Sequence, residues 1–437
     1  MRQPLHYHLA EMARLAAPVV VSRTGLMSMA VVNLAFLGRI GVNEVAFMAA
    51  AGVPLTIIMV ACNGLTTGTL VMASHAYGRG DMAEAGRVWR RSLPFAALVG
   101  FLGALLCLGG EWILRASGQD SVVAAGAAQV LHILGFSLPG NALFLTTAFF
   151  LEAIKRPMPA VVVIVAANLL NAGLNLLLVF GEPALGAVGS AVATSAARWF
   201  MALALIAYVL LMPGHGVFAV RAKVARWWAD SATARQIGYA SGVSSALEAS
   251  AFGSMTIFAG WFGASILAAY AIALNAWSLV FMSAIGLGIG AAVRVGHAAG
   301  AGDRPAMREA GWVALVIAFI VMTPISVSFD VFRDELAAIF TTDPILRADS
   351  AAMLAMCAWV ILMDSGKTVM LQAVRGTGDT WVPTRAQFVL VFGVMVPSAY
   401  VLAFPLGFGP AGLFLGMLAA ATGSFLFLCW RFWMRSR

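Results

Sequence analysis

Runs of about twenty consecutive apolar residues recur along this chain, and that recurrence constrains its fold more than any single motif. Each run is long enough to cross the roughly 30 Å hydrocarbon core of a bilayer as a helix. Helix is the form such runs must take, because lipid offers backbone N–H and C=O groups no partner. The runs number about twelve, with approximate spans 12–36, 45–73, 92–112, 126–151, 158–180, 186–211, 237–263, 268–296, 309–329, 345–374, 383–404 and 410–431. Composition agrees, with 61% hydrophobic and 11% charged residues where soluble proteins carry about 45–50% and 25%. The sequence predicts an all-α integral membrane protein.

The chain also repeats itself. Gly68 to Asp81 reads GTLVMASHAYGRGD, Gly290 to Asp303 reads GAAVRVGHAAGAGD, and at an offset of 222 they share seven of fourteen positions. The repeat continues in Glu84-Ala85-Gly86 against Glu309-Ala310-Gly311, Pro159 against Pro383, and Gly189 against Gly412. Six spans per copy give both copies the same orientation, so twelve transmembrane helices are expected in two six-helix lobes. A pseudo-two-fold axis along the membrane normal would relate them, with a substrate cavity between. The expected division is an N-terminal lobe over 1–212, a basic cytoplasmic linker over 213–236 and a C-terminal lobe over 237–437. The linker holds Pro213, Gly214 and Gly216, then Arg221, Lys223 and Arg226 beside Trp227 and Trp228, a pattern suited to a membrane interface.

The net charge of +8 sorts by side of the membrane. With both termini inside, 20 of the 27 Lys and Arg residues fall inside and only Arg39, Arg115, Arg333 and Arg347 outside. This positive-inside bias predicts a multi-pass protein of the plasma (inner) membrane with cytoplasmic termini, and it leaves no call for nucleic acid as a partner. The N-terminus carries His6, His8, Glu11 and Arg14 before a long span and has no cleavage-like end, so no removable signal peptide is expected. Cys62, Cys107, Cys357 and Cys429 are scattered singly, which suits packing. There is no HExxH, no GxSxG and no cluster with metal-ligand spacing, so neither an enzyme nor a metal site is expected. The single GxGxxG, Gly407 to Gly412, joins two spans and reads as a turn.

Ionisable groups within a span cost about 2.5–3.5 kcal/mol at mid-membrane, so each one calls for a reason. Glu248 in the seventh span and Asp364 in the tenth each sit roughly 15 Å from the inner end. Carboxylates at one depth can bind a cation or exchange it for a proton; the alternative is helix–helix hydrogen bonding. Lys367, three residues after Asp364, shares its helix face and can pair with either acid. Phe252 follows Glu248 by one turn, and Trp277, Phe281 and Trp359 lie on adjoining spans, where they suit lipophilic cations or plain packing. The N-terminal half offers neutral groups instead: Asn33, Asn168, Asn171, Asn175 and Thr194. They either line a cavity or hold helices together. Arg23 and Arg198 are buried cations without a partner nearby in sequence. Pro54, Pro139, Pro324 and Pro397 interrupt spans and are expected to kink them.

The run from Asn33 through Asp81 resembles the first two helices of the multidrug and toxic compound extrusion family. So do AIALNAWSLVFMSAIGLGIGAAVRVG at Ala271 to Gly296, AVRGTGDTWVP at Ala373 to Pro383 and LGAVGSAVATS at Leu185 to Ser195. The resemblance implies a V-shaped pair of lobes that exports organic cations or related amphiphiles by alternating access against inward protons or sodium ions. Flippases for lipid-linked sugars share the wider superfamily and are the alternative. Glu248 and Asp364 match acidic positions that the family uses in its C-terminal lobe, and Asn275 within the Ala271–Gly296 segment joins them as a binding residue. Close family members carry glutamine where Lys367 stands, a departure that favours protons over sodium. Many relatives carry aspartate where Asn33 stands and use it as a proton carrier, which an amide cannot be. Small cationic or amphiphilic substrates and membrane lipid are the expected partners. A monomer is expected, with no cofactor beyond the coupling ion.

Overall fold

A computed structural model describes residues 5–116, 120–182, 184–224 and 226–437, and among them every regular element is helical. Arg2, counted above on the inner side, lies outside the described residues, as do the side chains of His6 and His8. In chain order the first elements are α1 (Leu5–Leu37), α2 (Val42–Thr66), α3 (Gly68–Gly78), α4 (Met82–Leu108), α5 (Gly110–Ala116), α6 (Ser121–Phe136), α7 (Leu138–Ala153), α8 (Met158–Phe180) and α9 (Gly186–Leu211). A short α10 (Trp227–Asp230) precedes α11 (Ala232–Trp261), α12 (Ala264–Ala301), α13 (Arg304–Val331), α14 (Arg333–Phe340) and α15 (Pro344–Gly376). Then come α16 (Trp381–Val389), a π-helical segment Leu390–Met395, α17 (Val396–Ala403) and α18 (Pro410–Ser436).

Among the described residues, eleven helical stretches are long and apolar enough to cross a membrane. α11 is not among them: its 30 residues are diluted by Ser, Thr and Glu. Three predicted spans are each built from more than one helical piece, and the sequence explains the joints. Between α2 and α3, the hydroxyls of Thr66 and Thr67 bond back to the carbonyls of Asn63 and Gly64 at 2.9 and 2.7 Å and tighten the turn. Between α6 and α7, Ser137 bonds back to the Leu134 carbonyl and Pro139 opens the next helix. Pro397 at the start of α17 cannot donate to the preceding turn, and the helix widens into the π segment just upstream.

The chain forms two compact units, one of residues 21–242 and one of residues 1–20 with 243–437. The division therefore falls inside α1 and α11 rather than at the ends of the 213–236 connection. Side-chain size explains this. In the first unit, the opening of α11 lies against α2 and α3 through two GxxxG patterns, Gly64/Gly68 and Gly238/Gly242. A Cβ on Gly68 would stand 1.9 Å from the Ala234 carbonyl oxygen, and one on Gly238 would stand 2.1 Å from that of Leu65. Only glycine allows such backbone contact. In the second unit, the opening of α1 lies against α12 at Gly286 and Gly290, where a Cβ would meet the Val20 side chain at 2.4 Å and the Met12 side chain at 3.2 Å. The connection itself is folded onto the first unit, with Phe218 and Val220 buried. Within it Trp228 is exposed and carries the Arg235 guanidinium 3.8 Å from its ring.

The fourteen-residue repeat has one structural meaning in both units. Gly80 and Gly302 adopt φ of +80° and +72°, the left-handed conformation that ends a helix. Asp81 and Asp303 then cap the next helix, accepting the Glu84 N–H at 2.8 Å and the Ala306 N–H at 2.9 Å. The AVRGTGDTWVP segment is a related turn: Gly378 has φ of +86°, and Asp379 accepts from Arg431 at 2.7 Å and Arg435 at 3.0 Å. That ties the turn after α15 to the end of α18.

Candidate functional site

In the second unit, α15 passes through two apolar clusters. One contains Cys357, Val360 and Ile361 of this helix, and the other begins at Val369. Asp364 and Lys367 occupy the interval between them, a polar waist between two apolar stretches of the helix. Their spacing of three puts both on one face. Lys367 Nζ lies 2.5 Å from Asp364 Oδ1 and 2.8 Å from Glu248 Oε1 on α11. One ammonium thus bridges two carboxylates brought together across 119 residues of sequence.

The two acids are not equivalent. Asp364 is buried, and its Oδ2 has no hydrogen-bond partner. Glu248 has a side chain 28% exposed, open to a cleft of about 440 Å3 counted with its mouth. Glu248, Phe252, Asp364, Lys367, Gln387 and Met395 are among the residues that line it. The Val391 and Met395 side chains come from the π-helical segment, so part of this wall is the least regular stretch of helix in the unit. One turn before Glu248, the Ser244 hydroxyl donates to Gln387 Oε1 and ties α11 to α16. On the other side of Glu248, Phe252 packs on Trp277 with ring centroids 4.8 Å apart, and Trp277 stacks on Phe281 at 4.5 Å. With both acids ionised and Lys367 protonated, these three side chains sum to one net negative charge beside the Phe252 ring, and the buried Arg375 guanidinium of the same helix lies within electrostatic reach of Glu248. That is the chemistry of a site for one positive charge on a lipophilic body.

Asn275 stands apart from this cluster. It is exposed, and its amide donates to the Ala271 carbonyl of its own helix at 2.9 Å. Trp359 is likewise exposed, at 64%. Neither lines the cleft.

In the first unit, α1, α8 and α9 bury a neutral network. Asn33 donates to the Thr194 hydroxyl at 2.7 Å and accepts from the Asn175 amide at 3.0 Å. Asn171 donates to Thr194 at 3.4 Å, and Thr194 donates to the Ser190 carbonyl at 2.9 Å. The Oδ1 atoms of Asn171 and Asn175 are buried without a donor. Asn168 lies on the same face of α8 but serves another contact, donating to the Gly25 carbonyl at 3.0 Å and accepting from Ser28 at 2.9 Å. Of the five neutral groups expected to act together, four form one network and Asn168 tethers α8 to α1.

Arg23, which is buried, and Arg198, which is half-buried, find partners that sequence proximity did not reveal. Arg23 Nη2 is 3.4 Å from Glu152 Oε1 on α7, and its guanidinium lies 5.2 Å from the Phe149 ring centroid. Arg198 donates to the Ser137 hydroxyl at 2.8 Å. Glu152, Ser244 and Gln387 all escaped the sequence reading. Glu152 lies one residue beyond the drawn end of its span, and Ser244 and Gln387 carry no charge to draw attention. The one available signal was Ser244, placed one turn from Glu248.

Comparison with known proteins agrees with this architecture. The MatE family model matches residues 18–177 and 240–401, one match in each half of the chain. The chain is 36% identical over 437 residues to a probable multidrug resistance protein NorM of Caulobacter vibrioides, covering 99% of this chain and 93% of the relative. It is 28% identical over 438 residues to multidrug resistance protein PmpM of Pseudomonas aeruginosa, covering 97% and 91%. Among solved structures, the eukaryotic MATE transporter AtDTX14 superposes with a TM-score of 0.90 at 19% identity, covering 98% of this chain and 95% of that one. An outward-facing multidrug resistance MATE family transporter of the MOP superfamily superposes with a TM-score of 0.88 at 18% identity, covering 98% and 96%. The chain belongs to the MatE family, the multidrug and toxic compound extrusion transporters.

Proposed function

We propose that this protein exports organic cations and amphiphilic drugs or metabolites, exchanging them for inward protons by alternating access. The observation that carries this reading is the Glu248–Lys367–Asp364 cluster, where one ammonium serves two carboxylates and one buried carboxylate oxygen is left without a donor. A proton or a substrate cation can compensate the remaining negative charge, but not both at once. Binding of one therefore opposes binding of the other, which is what exchange requires.

The family membership, the multidrug names of relatives matched along the whole chain, and the Phe252 ring that lines the cleft with Trp277 packed against it support an organic, lipophilic cargo. Lys367 supports protons over sodium, because a tethered ammonium already stands between the acids. In this reading the protein works as a monomer in the inner membrane with both termini cytoplasmic, as the basic inner loops favour.

The test is transport in proteoliposomes with imposed pH or sodium gradients and a panel of cationic dyes. Dye movement driven by the pH gradient and indifferent to sodium is expected. Uptake of a lipid-linked sugar and of no dye would replace this reading with a flippase.

A further inference from the structure

Lys367 belongs to two clefts, not one. Besides the cleft with the carboxylates, it lines a neighbouring one of about 250 Å3, counted with its mouth, together with Leu371, Pro383, Ala386, Gln387 and Ser424. The two clefts share Lys367, Gln387 and Ser424, so the lysine stands where they meet. Its stem is flexible and its ammonium carries three donors. The second cleft offers apolar walls for the stem, with the Gln387 and Ser424 side chains as polar groups for the head.

We propose that Lys367 is the resident cation of the site. Its ammonium holds the position between Glu248 and Asp364 that a free monovalent cation would otherwise take, and it yields to the substrate's positive charge by turning into the second cleft. The inference rests on the reading of these carboxylates as the place where substrate charge binds. Its physical basis is effective concentration: a tethered ammonium competes as an intramolecular ligand at millimolar levels or above. A small alkali cation gains only the carboxylates and must shed water to displace it. An organic cation gains the same carboxylates and also the Phe252 ring and the apolar lining around it, so it can win. Lys367 is then a specificity-determining residue that excludes alkali cations and admits lipophilic ones.

The experiment uses the full chain in detergent. Sodium chloride is titrated calorimetrically at ionic strength held by N-methylglucamine chloride, and ethidium affinity is read by fluorescence anisotropy. Wild type and Lys367→Arg are expected to show no saturable sodium binding. Lys367→Ala is expected to gain it and to lose it again on adding Glu248→Gln. Filling the second cleft with Ala386→Phe should weaken ethidium binding at least about tenfold while Lys367 is present, and by no more than about twofold in the Lys367→Ala background. If Lys367→Ala loses cooperative melting, Lys367→Met keeps the stem volume and carries the same comparisons. Saturable sodium binding by wild type, its absence from whichever of Lys367→Ala and Lys367→Met is folded, or an equal effect of Ala386→Phe in both backgrounds would each overturn the inference. Failure of every form to bind ethidium would instead sink the proposed function, while the sodium titration still decides the role of Lys367.

Discussion

The two units carry the same helix ends and different chemistry. Each stops a helix on a left-handed glycine, Gly80 or Gly302, and starts the next on an aspartate cap, Asp81 or Asp303. Yet the first unit buries Asn33, Asn171, Asn175 and Thr194, all neutral, while the second buries Asp364 and Lys367 against Glu248. The repeated residues are those the backbone needs. The unrepeated ones differ in charge, and the proposed exchange places the coupling ion at the two carboxylates of the second unit. In the first unit the buried pair of Arg23 and Glu152 joins one cation to one anion, so that pair carries no net charge.

The largest effect should come from removing charge in the second unit and not in the first. Glu248→Gln or Asp364→Asn should each lower gradient-driven dye export at least about a hundredfold, since removing one partner of a buried, hydrogen-bonded charge pair costs about 2–5 kcal/mol. Asn33→Ala should stay within about threefold, in proteoliposomes matched for protein content, because it costs the network only hydrogen bonds of about 0.6 kcal/mol each. Equal losses in both units would break the comparison.

Packing should separate the units next. Gly68→Ala drives a methyl to 1.9 Å from the Ala234 carbonyl oxygen, whereas Gly286→Ala meets the Val20 side chain at 2.4 Å and backbone no nearer than 3.1 Å. Overpacking costs about 1–3 kcal/mol. Melting in detergent should therefore place the Gly68 variant near the top of that range and the Gly286 variant near the bottom.

The shared caps should behave alike. Asp81→Ala and Asp303→Ala each remove one side-chain acceptor from a helix start, and each should cost about 1 kcal/mol in the same melting assay. A large difference would mean that one aspartate has a duty beyond capping.

The smallest effect is expected within the amide network. Asn175→Ala should cost about 0.6 kcal/mol, the average for a hydrogen bond between membrane helices. Asn33→Asp should keep transport and add a second step to its pH dependence, because Asn33 now donates to Thr194 and a carboxyl can donate there only when protonated. A transport curve unchanged in shape would show that the first unit takes no part in ion exchange even when given an acid.

Much of this was legible in the sequence because membrane helices obey simple constraints. Apolar length set the spans, and the repeat set the two lobes. The cost of buried charge singled out Glu248, Asp364 and Lys367, and their matched depth brought the acids to one level. What sequence could not supply was pairing across long separations. Arg23 and Glu152 are 129 residues apart, and Ser244 and Gln387 are 143 apart. Nothing in either helix alone names its partner. Periodicity put Asn168, Asn171 and Asn175 on one face of α8, but could not say that the first would turn to Gly25 and Ser28 while the others met Thr194 and Asn33. Nor could it show that two compact units divide inside α1 and α11, because that depends on which backbones can touch at Gly64, Gly68, Gly238 and Gly242.

The central claim is that one charge in the second unit is shared between proton and substrate, and substrate-induced proton release from weakly buffered, detergent-solubilised protein tests it most directly. Wild type and Asn33→Ala should release protons when ethidium is added, with Glu248→Gln and Asp364→Asn releasing none although they melt normally. If both carboxylate variants still release protons on binding ethidium, or if Asn33→Ala alone stops doing so, the exchange site does not lie in the Glu248–Lys367–Asp364 cluster.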